Sequence, residues 1–67
     1  MDSVYICDDY IKIDKHYYKH MISNTSGRVY YCSPLDAIAV YDDVNEKLYV
    51  FINDTMYDLS NKYMIER

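Results

Sequence analysis

Four side chains in this sequence carry ligands that a metal ion would accept: Cys7, His16, His20 and Cys32. Two histidines four apart share one side of a helix, and a set of two cysteines and two histidines can hold zinc tetrahedrally. The cysteines, however, stand alone, without the short Cys-x-x-Cys knuckle of structural zinc sites. As small hydrophobes the thiols suit partly buried positions, and the histidines suit a solvated face. No metal and no cofactor is expected. Cys32 with either histidine also resembles two parts of a nucleophilic set, which needs a base and a third, orienting group. No local signature supplies the third part, and so small a chain has little room for a water-excluding pocket of about 300 Å³ or more. The acid pairs Asp8-Asp9 and Asp42-Asp43 fit turns better than acid–base or calcium chemistry. The only glycine is Gly27, so the Asp42 to Lys47 loop lacks the glycine of an EF-hand and no glycine-rich phosphate loop exists. The reading is a protein without catalytic function.

What remains is surface character. The 67 residues include ten tyrosines against one phenylalanine and no tryptophan. Each tyrosine has a large apolar ring and a hydroxyl that needs a partner or water. A core this small cannot enclose ten of them, so several are expected outside it, as half-buried rings on sheet faces or as contact anchors. The acid-rich turns lie beside some of these rings. Tyr10, Tyr30, Tyr41 and Tyr49 are the candidate anchors, and Asp8, Asp9, Asp42 and Asp43 are the candidate charged rim. The formal charge of −4, with basic residues scattered along the chain, disfavours nucleic acid and is compatible with a basic patch on a protein partner.

These side chains must be positioned mostly by strands. A two-residue turn at Asp8-Asp9 pairs Ile6 with Ile11 and Val4 with Ile13, which puts all four apolar side chains on one face. A turn at Asn53-Asp54 pairs Ile52 with Thr55 and Val50 with Tyr57 by the same reasoning. Upstream, an odd-length loop after residues 37–41 would set Val40 against Leu48 and Ile38 against Val50, making residues 37–59 a three-stranded meander. Residues 15–23 have apolar side chains at 17, 18, 21 and 22, a helical spacing, with Asp14 as a cap; a strand is the alternative. Ser33-Pro34-Leu35-Asp36 has the pattern of a single helical turn. RVYYC and the KYMI stretch near the end complete the strands. The expected fold is mainly β: a small antiparallel sheet or barrel of five to six strands built from hairpins, with at most one short helix at about residues 15–23.

Length bounds the rest. One domain spanning residues 1–67 buries only about 60% of its unfolded surface, so self-association into a dimer or larger oligomer is expected to add stability. The acid at the start of the chain does not fit the basic region of a signal peptide, and no apolar run approaches a membrane span of about 20 residues. An intracellular, cytoplasmic protein with free thiols is expected. Richness in Tyr, Asn, Asp, Lys and Ile is common in AT-rich phage and viral genomes. The leading expectation is thus a small protein-binding module, in its sharpest form a phage or viral inhibitor that occludes a host or defence protein. An oligomeric β protein that sequesters a small ligand or nucleotide by stacking it on tyrosines is the alternative. A structural subunit of a larger assembly is a third.

Overall fold

In a computed structural model, which describes residues 3–25 and 27–65, eight strands form one curled, half-barrel sheet. They are β1 (Val4–Ile6), β2 (Tyr10–Ile13), β3 (His16–Asn24), β4 (Gly27–Cys32), β5 (Ala37–Asp42), β6 (Lys47–Ile52), β7 (Thr55–Asp58) and β8 (Met64–Ile65). The first seven form an antiparallel meander in chain order, while β8 runs parallel to β1 at the far side. Local chemistry sets this order. Every link between consecutive strands up to β7 is short, and antiparallel neighbours can be joined by loops of two residues. Asn53 and Asp54 both adopt positive φ, the twist that a two-residue hairpin requires and that Asn and Asp tolerate. Both hairpins expected at Asp8-Asp9 and Asn53-Asp54 form with the registers read from the sequence: Val4 opposite Ile13, Ile6 opposite Ile11, Ile52 opposite Thr55, and Val50 opposite Tyr57.

The sheet has eight strands where five to six were expected, because His16–Asn24 form a strand and the two-residue β8 pairs with β1. Two further expectations are corrected. Residues 15–23 form no helix; most of the segment lies in β3, and no helix occurs among the described residues. The helical spacing is produced by a β-bulge at Met21. His20 pairs with Tyr30 and Ile22 with Val29, so one extra residue breaks the alternation. Tyr18 points into the core, Tyr17 points out, and the bulge returns Ile22 to the outer side, producing apolar positions that imitate a helical period. The second correction is the β5–β6 register. The loop holds four residues, 43–46, and sets Tyr41 against Leu48 and Ala39 against Val50, one residue from the expected pairing. Asp42 stabilises this loop by accepting the Val44 and Asn45 backbone N–H at 3.1 and 3.3 Å and the Asn45 side-chain amide at 2.9 Å. Those bonds, with the Asn45 side chain first, hold the Asp42 carboxyl below its ordinary pKa. A one-residue slip exchanges the faces of a strand. Ala37, Ala39 and Tyr41 therefore face inward, and Ile38 and Val40 face outward.

The concave side holds the core: Val4, Ile6, Ile11 and Ile13 from the first hairpin, Tyr18, Tyr30 and Cys32, the inward residues of β5, then Leu48, Val50 and Leu59. Small residues lie beside large ones. Ala39 lies between Tyr30 and Val50 in register, which leaves space for the Tyr30 ring in a close-packed interior. The chain after β7 then crosses the concave side. The Leu59 N–H donates to the Leu48 carbonyl at 2.9 Å, Tyr63 meets Tyr41 edge-on at 5.4 Å, and β8 reaches β1. Ser33–Asp36 is a hydrogen-bonded turn, with the Asp36 N–H donating to the Ser33 carbonyl at 3.1 Å, and joins β4 to β5.

Candidate functional site

Two places gather polar and aromatic side chains, and they differ in accessibility. The first is the rim of the half-barrel near the β1–β2 turn. Gly27 starts β4 there at φ +126, where a Cβ would stand 2.5 Å from the Tyr41 carbonyl oxygen. That close approach lets the next residue, Arg28, lie over the Tyr41 ring, with 5.2 Å from guanidinium carbon to ring centroid. Arg28 also bridges two turns, donating to Asp8 Oδ1 at 3.0 Å and reaching Asp43 Oδ2 at 3.7 Å. Beside it the Tyr30 hydroxyl donates to the Cys7 carbonyl at 3.0 Å, and the His20 ring meets the Tyr30 ring edge-on at 5.3 Å. Burial raises the Tyr30 phenol pKa, against the pull of Arg28. Each polar group named here has a partner within the chain, although the Asp8 and Asp43 carboxylates are exposed. Its geometry is that of a clasp tying β1–β2, β4 and β5–β6 together.

The structure thus brings Asp8 and Asp43 together on Arg28 and does not gather the anchor set on one surface. Tyr30 and Tyr41 are core residues, with 0% and 2% of their surface exposed, so neither ring is available as a surface anchor. For Tyr41 the reason is the β5–β6 register. For Tyr30 it is the phase of β4, which sends Tyr30 and Cys32 inward and leaves Tyr31 outside. Tyr10 and Tyr49 are half-buried and face outward, Tyr10 against Tyr17 with centroids 5.3 Å apart. Asp42 is committed to its turn. Asp9 is exposed, and its carbonyl accepts the His20 N–H at 2.9 Å. Among the described residues, no three His, Cys, Asp or Glu side chains converge as ligands for a metal ion.

The second place is the convex face of β3–β7. Residues opposite one another in neighbouring strands share a face, and the registers produce two outer rows. One runs Lys19, Tyr31, Ile38, Phe51, Met56, apolar from β4 onward; the other runs Ile22, Val29, Val40, Tyr49, Asp58. Exposure is high along them: Ile22 55%, Ile38 41%, Phe51 42% and Met56 55%. At the end of the first row an open depression of about 530 Å³ is lined by Ile38, Phe51 and Met56, with Asp36, Asn53 and Asp54 around it. Asp36 accepts the Tyr31 hydroxyl at 2.9 Å, and this bond raises the Tyr31 phenol pKa. Sequence reasoning missed Ile38, Phe51, Met56, Asp36 and Asp54 because it looked for tyrosines. The signal was present at alternate positions once the β5–β6 register is known.

No family model, no curated protein and no solved structure matches this chain. No helix of the described chain is long and apolar enough to cross a membrane.

Proposed function

We propose that this protein is a binding module that docks another protein on the convex face of β3–β7. The observation that carries this reading is the apolar row ending in Ile38, Phe51 and Met56, exposed and bordered by Asp36 and Asp54 with no basic residue lining the depression. Isolated exposed hydrophobes are ordinary, whereas contiguous ones rimmed by polar groups mark interaction sites. A partner with an apolar projection ringed by lysine or arginine complements this surface and the overall charge of −4. Occlusion of a larger protein, as an intracellular inhibitor, is the biological form this binding would take. The rings that matter are not those of the buried tyrosines but Phe51 and the outward Tyr49.

The test is affinity capture from lysate of the source cell with the wild type and three variants, Ile38→Ser, Phe51→Ser and Val44→Ser, each checked for native circular dichroism. Val44 is 85% exposed and lies in the β5–β6 loop away from the depression, so it serves as the control. Phe51→Ser at a contact centre should cost about 2 kcal/mol, close to a thirtyfold loss of affinity, and Val44→Ser should change nothing. Capture that persists unchanged in folded Ile38→Ser and Phe51→Ser variants overturns the reading.

A further inference from the structure

Strand β7 ends the sheet, and Thr55–Asp58 are all exposed. The two-residue turn before it determines which backbone groups are used. The residues flanking such a turn, Ile52 and Thr55, form a hydrogen-bonded pair, and the alternation of an antiparallel ladder then makes Val50–Tyr57 the next bonded pair. The Leu59 N–H bond to the Leu48 carbonyl, two residues further on, has the phase this requires. Met56 and Asp58 therefore direct their N–H and C=O groups away from β6. No described residue pairs with them, because the chain beyond Leu59 crosses the concave side. An edge with unpaired donors and acceptors in a row is a template for another strand.

The side chains limit what can pair there. Met56 continues the apolar row from Ile38 and Phe51, and Asp58 presents its carboxylate on the same outer face, held by the Ser60 N–H at 3.0 Å from Oδ1. Symmetric pairing of β7 with the β7 of a second copy is disfavoured by charge. A symmetric antiparallel β7–β7 pair that uses the outward groups has three registers. They place Asp58 opposite the other copy's Asp58, its Asp54 or its Met56. The first two oppose like charges, and the third leaves the two Asp58 carboxylates on a diagonal about 7–8 Å apart, each facing an apolar side chain. A basic strand avoids every carboxylate–carboxylate pair, although the charge of Lys47 on the same face already acts on Asp58.

We propose that β7 accepts an extended basic segment of another protein as an added antiparallel strand, with lysine or arginine opposite Asp58 and an apolar residue opposite Met56. This rests on the protein-binding reading above and supplies the class of partner. Reading the incoming segment from its N-terminus, the pattern is basic, any, apolar, any, basic, where the last position lies beside Asp54 at the edge of the depression. Main-chain pairing provides the affinity, and alternate side chains provide the choice of partner.

The probe is a capped peptide, Thr-Lys-Val-Ile-Val-Lys-Thr, titrated into the isotope-labelled full chain and followed by amide shifts and hydrogen exchange. Saturable shifts with a Kd below about 1 mM and slowed exchange at the Met56 and Asp58 amides are expected. N-methylation of the isoleucine, whose N–H would face β7, should weaken binding roughly tenfold, whereas N-methylation of the first valine should not. Glutamate in place of both lysines should abolish the shifts. Met56→Pro removes an outward N–H without removing a β6–β7 bond, and should lose binding that Met56→Val keeps. No saturable shift, shifts away from β7, or equal binding of the two N-methyl peptides overturns the proposal. A peptide-free dimer with protected Met56 and Asp58 amides also overturns it, in favour of a second copy. A captured protein that is lost with Phe51→Ser yet retained with Met56→Pro overturns edge pairing alone and leaves the convex-face reading standing.

Discussion

Replacing Gly27 with alanine should come close to unfolding this protein, because two penalties coincide at that position. The backbone is held at φ +126, a region that L-residues rarely adopt and that costs about 1–3 kcal/mol. The added methyl would also stand 2.5 Å from the Tyr41 carbonyl oxygen, 3.0 Å from the carbonyl carbon and 3.2 Å from the Asp42 Cα. All three atoms are backbone, so no side chain can rotate away. Relief requires β4 and β5 to separate where Arg28 pairs with Tyr41, and overpacking of this kind costs about 1–3 kcal/mol. Together the loss is about 4 kcal/mol. A domain of this size has roughly 3–10 kcal/mol of stability in all. Urea unfolding followed by tyrosine fluorescence measures the change directly, and the melting temperature should fall by about 15 °C or more. The Arg28 clasp should loosen with it, so the Arg28–Asp8 contact at 3.0 Å gives a local readout through the Asp8 carboxyl resonance. A loss below about 1 kcal/mol with native Tyr41 and Asp42 resonances would refute the argument, because it would mean that the β4–β5 ladder yields without penalty.

Glu46 adopts φ 56 at the end of the β5–β6 loop, where a residue with a Cβ is strained, so Glu46→Gly should stabilise the fold by about 0.5–1 kcal/mol in urea unfolding. Destabilisation would show that the Glu46 side chain contributes more than its backbone strain. Burial, followed by the charges of Cys32 and Asp14, pushes the Tyr18 phenol up to about 12. Between about pH 10 and 12 the unfolded chain gives up this proton and the folded chain keeps it, so stability is fully present below pH 10 and falls as pH rises. With solvent screening allowed for, the fall is on the order of 1–2 kcal/mol across that window. It should be visible as a drop in the urea midpoint between about pH 10 and 12 that is smaller in Tyr18→Phe, and equal drops in both proteins would assign the alkaline loss to other groups.

The first and last hairpins were legible in the sequence because their determinants are local. A two-residue turn leaves one register that puts Val4, Ile6, Ile11 and Ile13 on a common face, and the same logic holds around Asn53-Asp54. Strands β4, β5 and β6 were legible as strands, but the type of β3 and the face of β5 were not, and for one reason in each case: one residue more or fewer exchanges the faces of a strand. The bulge at Met21 adds a residue to β3 and makes its apolar positions imitate a helix. The four-residue loop that Asp42 stabilises shifts β5 by one and turns Tyr41 inward. Both alternatives satisfy local pattern equally well. What decides between them is packing inside the curl, where the small Ala39 lies opposite the Tyr30 ring and Ala37 opposite Cys32 in a core that also holds Tyr18 and Tyr41. The candidate site inherits this dependence. Composition alone showed that a core this small could not hold ten tyrosine rings and that carboxylates would gather at turns. Only the packing of the concave side determined that Tyr30 and Tyr41 would fill the core and that Ile38, Phe51 and Met56 would be left facing outward, since whichever side chains complete the interior consign their neighbours to the surface.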